Sequence, residues 1–236
     1  MTAHLHALCI DANDPPGLAG FWAALLRREL ADDGVTVLPG DETSFRIRIA
    51  PTGTRKSGPT QIHLHLTSTT LADHQSTVDR ALRLGARHLD VGQLPEEGHV
   101  VLADPEGNEL CVIEPGNGFL AGGFLGELAC DGSREVGHFW SRALGWPLVW
   151  DQDQETAIRS PHGGPKITWG GPPVRPKTGT NRLHFDVAPP ADGNQQAEVD
   201  RLVSLGATRL DIGQDDVSWV VMADPDGNEF CVLTAR

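Results

Sequence analysis

Five polar residues in the second half of this 236-residue chain have the types and spacing for proton transfer: Glu127, His184, Asp186, Glu229 and Cys231. Side chains two apart on a strand share a face. His184 and Asp186 therefore project together, as do Glu229 and Cys231, while Glu127 shares the face of Leu125. A carboxylate beside an imidazole fixes its tautomer and raises its pKa, and an apolar enclosure raises a carboxylate's own. Those are the ingredients of a general acid–base pair. Glu127 is the preferred carboxylate, because the first half carries Cys9 at what reads as the matching place. The first half offers a set richer in imidazole and sulfur: Cys9, His63, His65, Glu109 and Cys111. His nitrogen and Cys sulfur suit zinc, so His63, His65 and Cys111 form one candidate metal set and His184, Glu229 and Cys231 another. Neither has a close-spaced ligand pair, and metal-free chemistry is the favoured reading, with a divalent metal as the alternative. Trp150, Trp169 and Trp219, together with Phe185, are candidates to line an apolar site and stack on a flat ligand, with Asp186 and Cys231 beside them.

These residues sit in a chain that repeats itself. Ala103-Asp104-Pro105-Glu106-Gly107-Asn108-Glu109-Leu110-Cys111-Val112 returns as Ala223-Asp224-Pro225-Asp226-Gly227-Asn228-Glu229-Phe230-Cys231-Val232. Leu84-Gly85-Ala86 returns as Leu205-Gly206-Ala207, and Phe21-Trp22 as Phe139-Trp140. Two tandem units of like fold follow, divided as residues 1–117 and 118–236. In each, Asp-Pro-x-Gly has the residue preferences of a type I turn and reads as a hairpin corner rather than a site.

Apolar residues at helical spacing predict helices through Leu18–Leu26 and Val136–Leu144, with Asp131 or Ser133 as N-cap of the second and Gly145 ending it. Two further helices begin near Asp73 and Gln195. Short strands are expected at Leu5–Asp11, Ile62–Leu66, Leu125–Ala129 and Leu183–Val187, with a closing hairpin in each half. Lys166–Trp169 reads as a strand whose first-half counterpart has worn away into Thr52–Pro59, which favours the C-terminal half as the working one. Each half thus resolves into two strand–helix–hairpin modules.

A net charge of −13 argues against nucleic acid or an anionic membrane surface as partner. No leader and no long apolar run stand out, and Cys9, Cys111, Cys130 and Cys231 include no C-x-x-C pair, so a reduced, cytoplasmic protein is expected.

The pattern Phe21-Trp22, His63-Leu64-His65-Leu66 and Ala103–Cys111, repeated as Phe139-Trp140, Leu183–Val187 and Ala223–Val232, resembles the vicinal-oxygen-chelate superfamily of glyoxalase I, the bleomycin- and fosfomycin-resistance proteins and the extradiol dioxygenases. It is similar to the small glyoxalase-like domains of actinobacterial type. The resemblance implies an α+β fold: two tandem glyoxalase-like domains, each a pair of βαβββ modules curling into a cup. It also implies a divalent metal held by one residue from the first strand of each module and a Glu from the last strand. Those places fall on His63 and His184, on Ala7 and Leu125, and on Cys111 and Cys231, so one ligand of three survives in each cup. The expected function is therefore metal-independent acid–base chemistry of lyase, isomerase or cyclase type on a small organic metabolite in the C-terminal cup. Glu127 and His184, with Glu229, would carry it. The alternatives are a non-catalytic protein that sequesters a drug-like molecule, as the resistance relatives imply, and a metal-dependent enzyme of glyoxalase or dioxygenase type. A monomer or a homodimer is expected.

Overall fold

The protein is represented by a computed structural model, and the structure describes all residues except 1, 95, 96, 121, 175, 176, 178, 215 and 216. Its elements run in chain order. The first module contains β1 (His4–Ala12), α1 (Pro15–Leu26), β2 (Thr36–Val37) and β3 (Arg46–Pro51). The second contains β4 (Ile62–Leu66), α2 (Leu71–Arg83), β5 (Arg87–His88), β6 (Val100–Ala103) and β7 (Glu109–Val112). The third holds β8 (Leu125–Cys130), α3 (Arg134–Leu144), β9 (Leu148–Gln152), β10 (Glu155–Arg159) and β11 (Lys166–Trp169). The fourth holds β12 (Leu183–Ala188), α4 (Gln195–Ser204), β13 (Thr208–Arg209), β14 (Val220–Ala223) and β15 (Glu229–Val232). No helix among the described residues is long and apolar enough to cross a membrane.

The helices begin where side chains can satisfy their free N–H groups. Ser133 Oγ accepts from Val136 N at 3.4 Å, and Gly145 closes α3 in the left-handed conformation at φ 66°. Asp14, Thr70 and Asn194 cap the other three in the same way. The hairpin corner is held by Asp104, whose Oδ1 accepts from Glu106 N and Asn108 N, each at 2.9 Å. Its carbonyl accepts from Gly107 N, and Gly107 at φ 91° takes a conformation that side chains avoid. Trp22 Nε1 donates to Asp104 Oδ2 at 3.3 Å, and Trp140 Nε1 to Asp224 Oδ2 at 3.3 Å. The turn motif is thus the anchor that fastens the hairpin of one module to the helix of the preceding one.

The fold is α+β, with two curved mixed sheets, each made from a pair of modules. The members of each pair come from both halves of the chain. Sheet A runs β13-β14-β15-β12-β1-β3-β2 and joins the first module to the fourth. Sheet B runs β5-β6-β7-β4-β8-β11-β10-β9 and joins the second to the third. The seams are antiparallel: Cys9 lies opposite His184 across β1–β12, and His65 opposite Glu127 across β4–β8. This corrects the grouping of residues by half. Cys9 belongs with the His184 set, and Glu127 with the His65 set.

The strand thought to have worn away is present. β3 lies parallel to β1 just as β11 lies parallel to β8, so β3 is the counterpart of Lys166–Trp169. Among the described residues sheet A has no counterpart of β9, the outermost strand of sheet B; there the chain makes an isolated bridge from Leu30 to Val37.

One face of each sheet packs on the helices in a continuous core that includes Leu8, Ile10, Leu64, Leu128, Ile167 and Phe230. The opposite, open faces carry small separate clusters: Val101, Cys111, Ile113 and Leu120 on sheet B, and Ala188, Val221, Cys231 and Leu233 on sheet A. Strand alternation sends the chemistry-bearing residues to these open faces.

Candidate functional site

Five adjacent strands of sheet B each place one side chain in a row across its open face. Register pairs Cys111 with His65, His65 with Glu127, Glu127 with Lys166, and Lys166 with Arg159. His65 Nδ1 and Glu127 Oε2 share a hydrogen bond of 2.8 Å, with 19% and 9% of their side chains exposed. Burial by itself lowers the pKa of His65. Cys111 and Glu127 more than reverse this and raise it to about 9. The imidazole therefore keeps its proton at neutral pH.

Lys166 donates to the Phe119 carbonyl and stands 3.6 Å over the Phe119 ring. Burial, reinforced by Arg159, lowers its pKa. Phe119 meets Trp150 edge-on at 5.7 Å and packs with Leu89 against the apolar cluster. His63, one step along β4, has Nε2 at 2.8 Å from the Thr60 carbonyl, and burial lowers its pKa. At this end the face opens into a cleft of about 790 Å³, lined by His63, Leu89, Arg55, Lys56, Arg87 and Asp90 among others.

Sheet A has a different set on its open face. Cys9 lies between Arg48 and His184, and Asp186 between Ala7 and Cys231. Asp186 is 1% exposed; Arg48 Nη1 reaches its Oδ2 at 3.5 Å, and His184 Nε2 stands 3.6 Å from its Oδ1. Two overlapping groups place their donor atoms within 4.8 Å of one another: Cys9, Asp11 and His184, and His184, Asp186 and Cys231. Burial pulls the pKa of His184 down, but Cys9, Asp186 and Cys231 raise it well above its ordinary value. Burial pushes Asp11 and the Cys231 thiol up, and lowers His6, with help from Arg46, to about 4.

The expected site residues are thus divided. Glu127 and His184 lie on different sheets, so they do not form a pair; Glu127 pairs with His65 and His184 with Asp186. Glu229 is held by the Lys177 ammonium and by Asn181 N at 3.1 Å, and Glu109 likewise by Lys56 Nζ at 2.7 Å and Thr60 N at 3.0 Å. Both glutamates clamp the connector that precedes β12 or β4. Trp169 and Phe185 lie in the core on the helix-covered face, Phe185 against Trp140 at 5.1 Å. Trp219 borders the open face of sheet A with Cys231, whereas Trp150 borders that of sheet B. The set His63, His65 and Cys111 shares one open face, with His63 turned to Thr60 and His65 to Glu127.

Lys166, Arg159, Asp11 and Arg48 were not anticipated. The signal for them was alternation along their strands, which puts Lys166 on the face of Thr168 and Arg48 on that of Arg46. Glu127 was also aligned to the wrong partner. Glu127 faces His65, and Ala7 faces Asp186, each beside a register shift at the same place in the strand. Glu127 is therefore the counterpart of Ala7, not Cys9. The spacing that carries Cys111 to Cys231 also carries Ala7 to Glu127; the shorter spacing from Trp22 to Trp140 reflects residues lost between strand and helix.

The metal implied by the superfamily resemblance finds unequal hosts. On sheet B the ammonium of Lys166 stands beside Glu127 in the row, and among the described residues no three donor atoms converge there. On sheet A two groups converge, and Asp186 Oδ1 is buried without accepting a hydrogen bond. The donors there fit a metal.

Comparison with known proteins agrees with this architecture. Over its full extent the fold is similar to glyoxalase I from Zea mays (13% identity, TM-score 0.67, covering 99% of this chain and 92% of that one). It is also similar to a putative dioxygenase from Bacillus subtilis (16% identity, TM-score 0.63, covering 99% and 85%). At these identities the likeness speaks for the fold alone. No curated protein matches the sequence. The glyoxalase-like domain family matches residues 7–113 and again residues 127–233, starting at Ala7 and at its counterpart Glu127, so the chain belongs to that family and carries its domain twice in tandem.

Proposed function

We propose that the chain is an enzyme that transfers protons on a small organic acid bound to the open face of sheet B, without a metal at that site. The observation that carries this reading is the 2.8 Å contact of His65 with Glu127 inside a row that continues to Lys166 and Arg159. His65, protonated at neutral pH, serves as general acid toward a substrate oxygen or carbon. Glu127 fixes the ring and takes up a proton from the neighbouring substrate carbon. Lys166 and Arg159 supply positive charge for a carboxylate or a developing enolate, and the Phe119–Trp150 wall excludes water from its apolar part. A proton removed at one atom and delivered at the next amounts to an isomerisation, or to an elimination when a leaving group sits beside the carbanion.

The test is carbon-bound hydrogen exchange. A panel of small 2-oxo and 2-hydroxy acids is incubated with the protein in deuterium oxide and followed by proton NMR. The intact chain is expected to exchange one member's α-hydrogen, and Glu127→Gln to slow that exchange by about 10²–10⁴-fold. Binding of a panel member without exchange would instead mean a carrier. The aromatic pair at Trp150 and Phe119 favours that second reading, as it favours the sequestering function of resistance proteins.

A further inference from the structure

The cleft at the His63 end of sheet B holds two cations that the proton-transfer reading does not use, Arg55 and Arg87. Arg87 stands across from Ala103 and Ala103 from Glu109, so Arg87 lies on the open face that Glu109 shares with Cys111. Arg55, on the connector before β4, lines the same space of about 790 Å³. Arg87 Nη2 lies 3.2 Å from where a Cβ on Gly107 would stand and Lys56 Cδ 3.6 Å, so both side chains converge on the hairpin corner beside the cleft. Among the described residues three carboxylates line it as well. Glu109 is tied to Lys56 at 2.7 Å and Glu106 to Arg182 at 3.0 Å, which leaves Asp90. Arg55 and Arg87 are exposed and, among the described residues, make no hydrogen bond or ion pair.

The second copy of the repeat shows what the scaffold itself needs. On sheet A, Lys177 and Asn181 N hold Glu229 just as Lys56 and Thr60 N hold Glu109, so both copies keep the connector clamp. The two arginines are not kept. Thr208 pairs with Ala223 where Arg87 pairs with Ala103, and in the sequence Pro176 precedes Lys177 where Arg55 precedes Lys56. The fold therefore does not demand a guanidinium at either place, and the sheet that has both is the one with the His65–Glu127 row. We infer that Arg55 and Arg87 form an oxyanion subsite that grips a phosphate or carboxylate at the far end of the sheet B ligand. A guanidinium offers a planar fork of N–H donors that matches either group, in a chain whose charge of −13 otherwise repels anions. Arg87 on β5 and Lys166 on β11 are five strand spacings of about 4.8 Å apart, less side-chain reach and sheet curvature. A ligand that touches both is an elongated acid, with its reacting carbon near His65 and an anionic tail in the cleft. The inference rests on the proton-transfer reading only for what happens at the head of that ligand.

The experiment titrates the full chain by calorimetry with 2-oxo acids of increasing chain length that end in a methyl, a carboxylate or a phosphonate group. Beyond a certain length one anionic series is expected to bind about 10–100-fold more tightly than the methyl series, and which series it is identifies the tail group. Combining Arg55→Ala with Arg87→Ala should cancel that gain and leave the methyl series unchanged. Both side chains are exposed, so the double variant is expected to keep the Tm of the unaltered chain. No gain for either anionic series at any length would overturn the inference, as would a gain that survives the double variant or a loss shared equally by the methyl series. Hydrogen exchange at the head is scored separately. A tail-dependent gain without exchange strikes the proton-transfer reading and leaves the subsite standing, and exchange without a gain does the reverse.

Discussion

Held between Glu127 and Cys111, the His65 imidazole stays protonated to about pH 9. Its folded pKa lies above the ordinary value of about 6.5, so its contribution to stability is full below that pH and fades as the pH rises through about 9. The chain is expected to lose on the order of 2–3 kcal/mol of unfolding free energy over that window through this group. Glu127→Gln should flatten the loss in denaturant titrations run at a series of pH values, and an unchanged pH profile would mean that the carboxylate does not hold the proton. The residue types of this pair were plain in the sequence, and alternation put each on a solvent-side face. Its membership was not, because which strand lies beside which depends on contacts between the two halves, and a linear reading assigns neighbours within a half.

At the level of elements, local chemistry located the helices and their ends. Apolar spacing located α1 and α3, and the cap residue Ser133 and the stop at Gly145 fall where side-chain acceptors and left-handed conformations are needed. Removing the cap with Ser133→Ala should cost about 1 kcal/mol, read as a lowered Tm. A stronger effect is expected where α3 meets the sheet. A Cβ on Gly137 would lie 1.9 Å from Thr156 Oγ1 and 3.1 Å from the Trp169 ring. Gly137→Ala must therefore push the helix off β10 and β11, at about 1–3 kcal/mol. A Tm equal to that of the unaltered chain would show that the helix stands further away. The two-residue edge strands β5 and β13 escaped notice, since so short a stretch leaves no period to detect. The strand Arg46–Pro51 was legible in the sequence, but its place as the counterpart of Lys166–Trp169 was not, because the connector after it resembles a broken strand.

For the whole molecule, the repeat announced two like units, and the division at residues 117 and 118 describes the sequence better than it describes the sheets. Cutting the chain there leaves β1 and β4 without the partners β12 and β8. Each half produced alone is expected to self-associate or aggregate through those open edges. Mixing the two should restore a one-to-one complex, checked by light scattering and by recovery of far-ultraviolet circular dichroism. Two halves that remain monomeric and folded by themselves would contradict the shared sheets.

The pairing of modules is nested: sheet B is built from one uninterrupted stretch, β4 to β11, and the two parts of sheet A flank it. On the ribosome this sets an order of events. The inner sheet can close as soon as β11 has emerged, whereas β1, already made, waits for β12 roughly 170 residues later. At ordinary elongation rates that wait is on the order of 10–30 s. For its duration the nascent N-terminal module presents a bare strand edge with Leu8 and Ile10 beside it, which makes that segment a natural client for a chaperone that binds chains as they leave the exit tunnel.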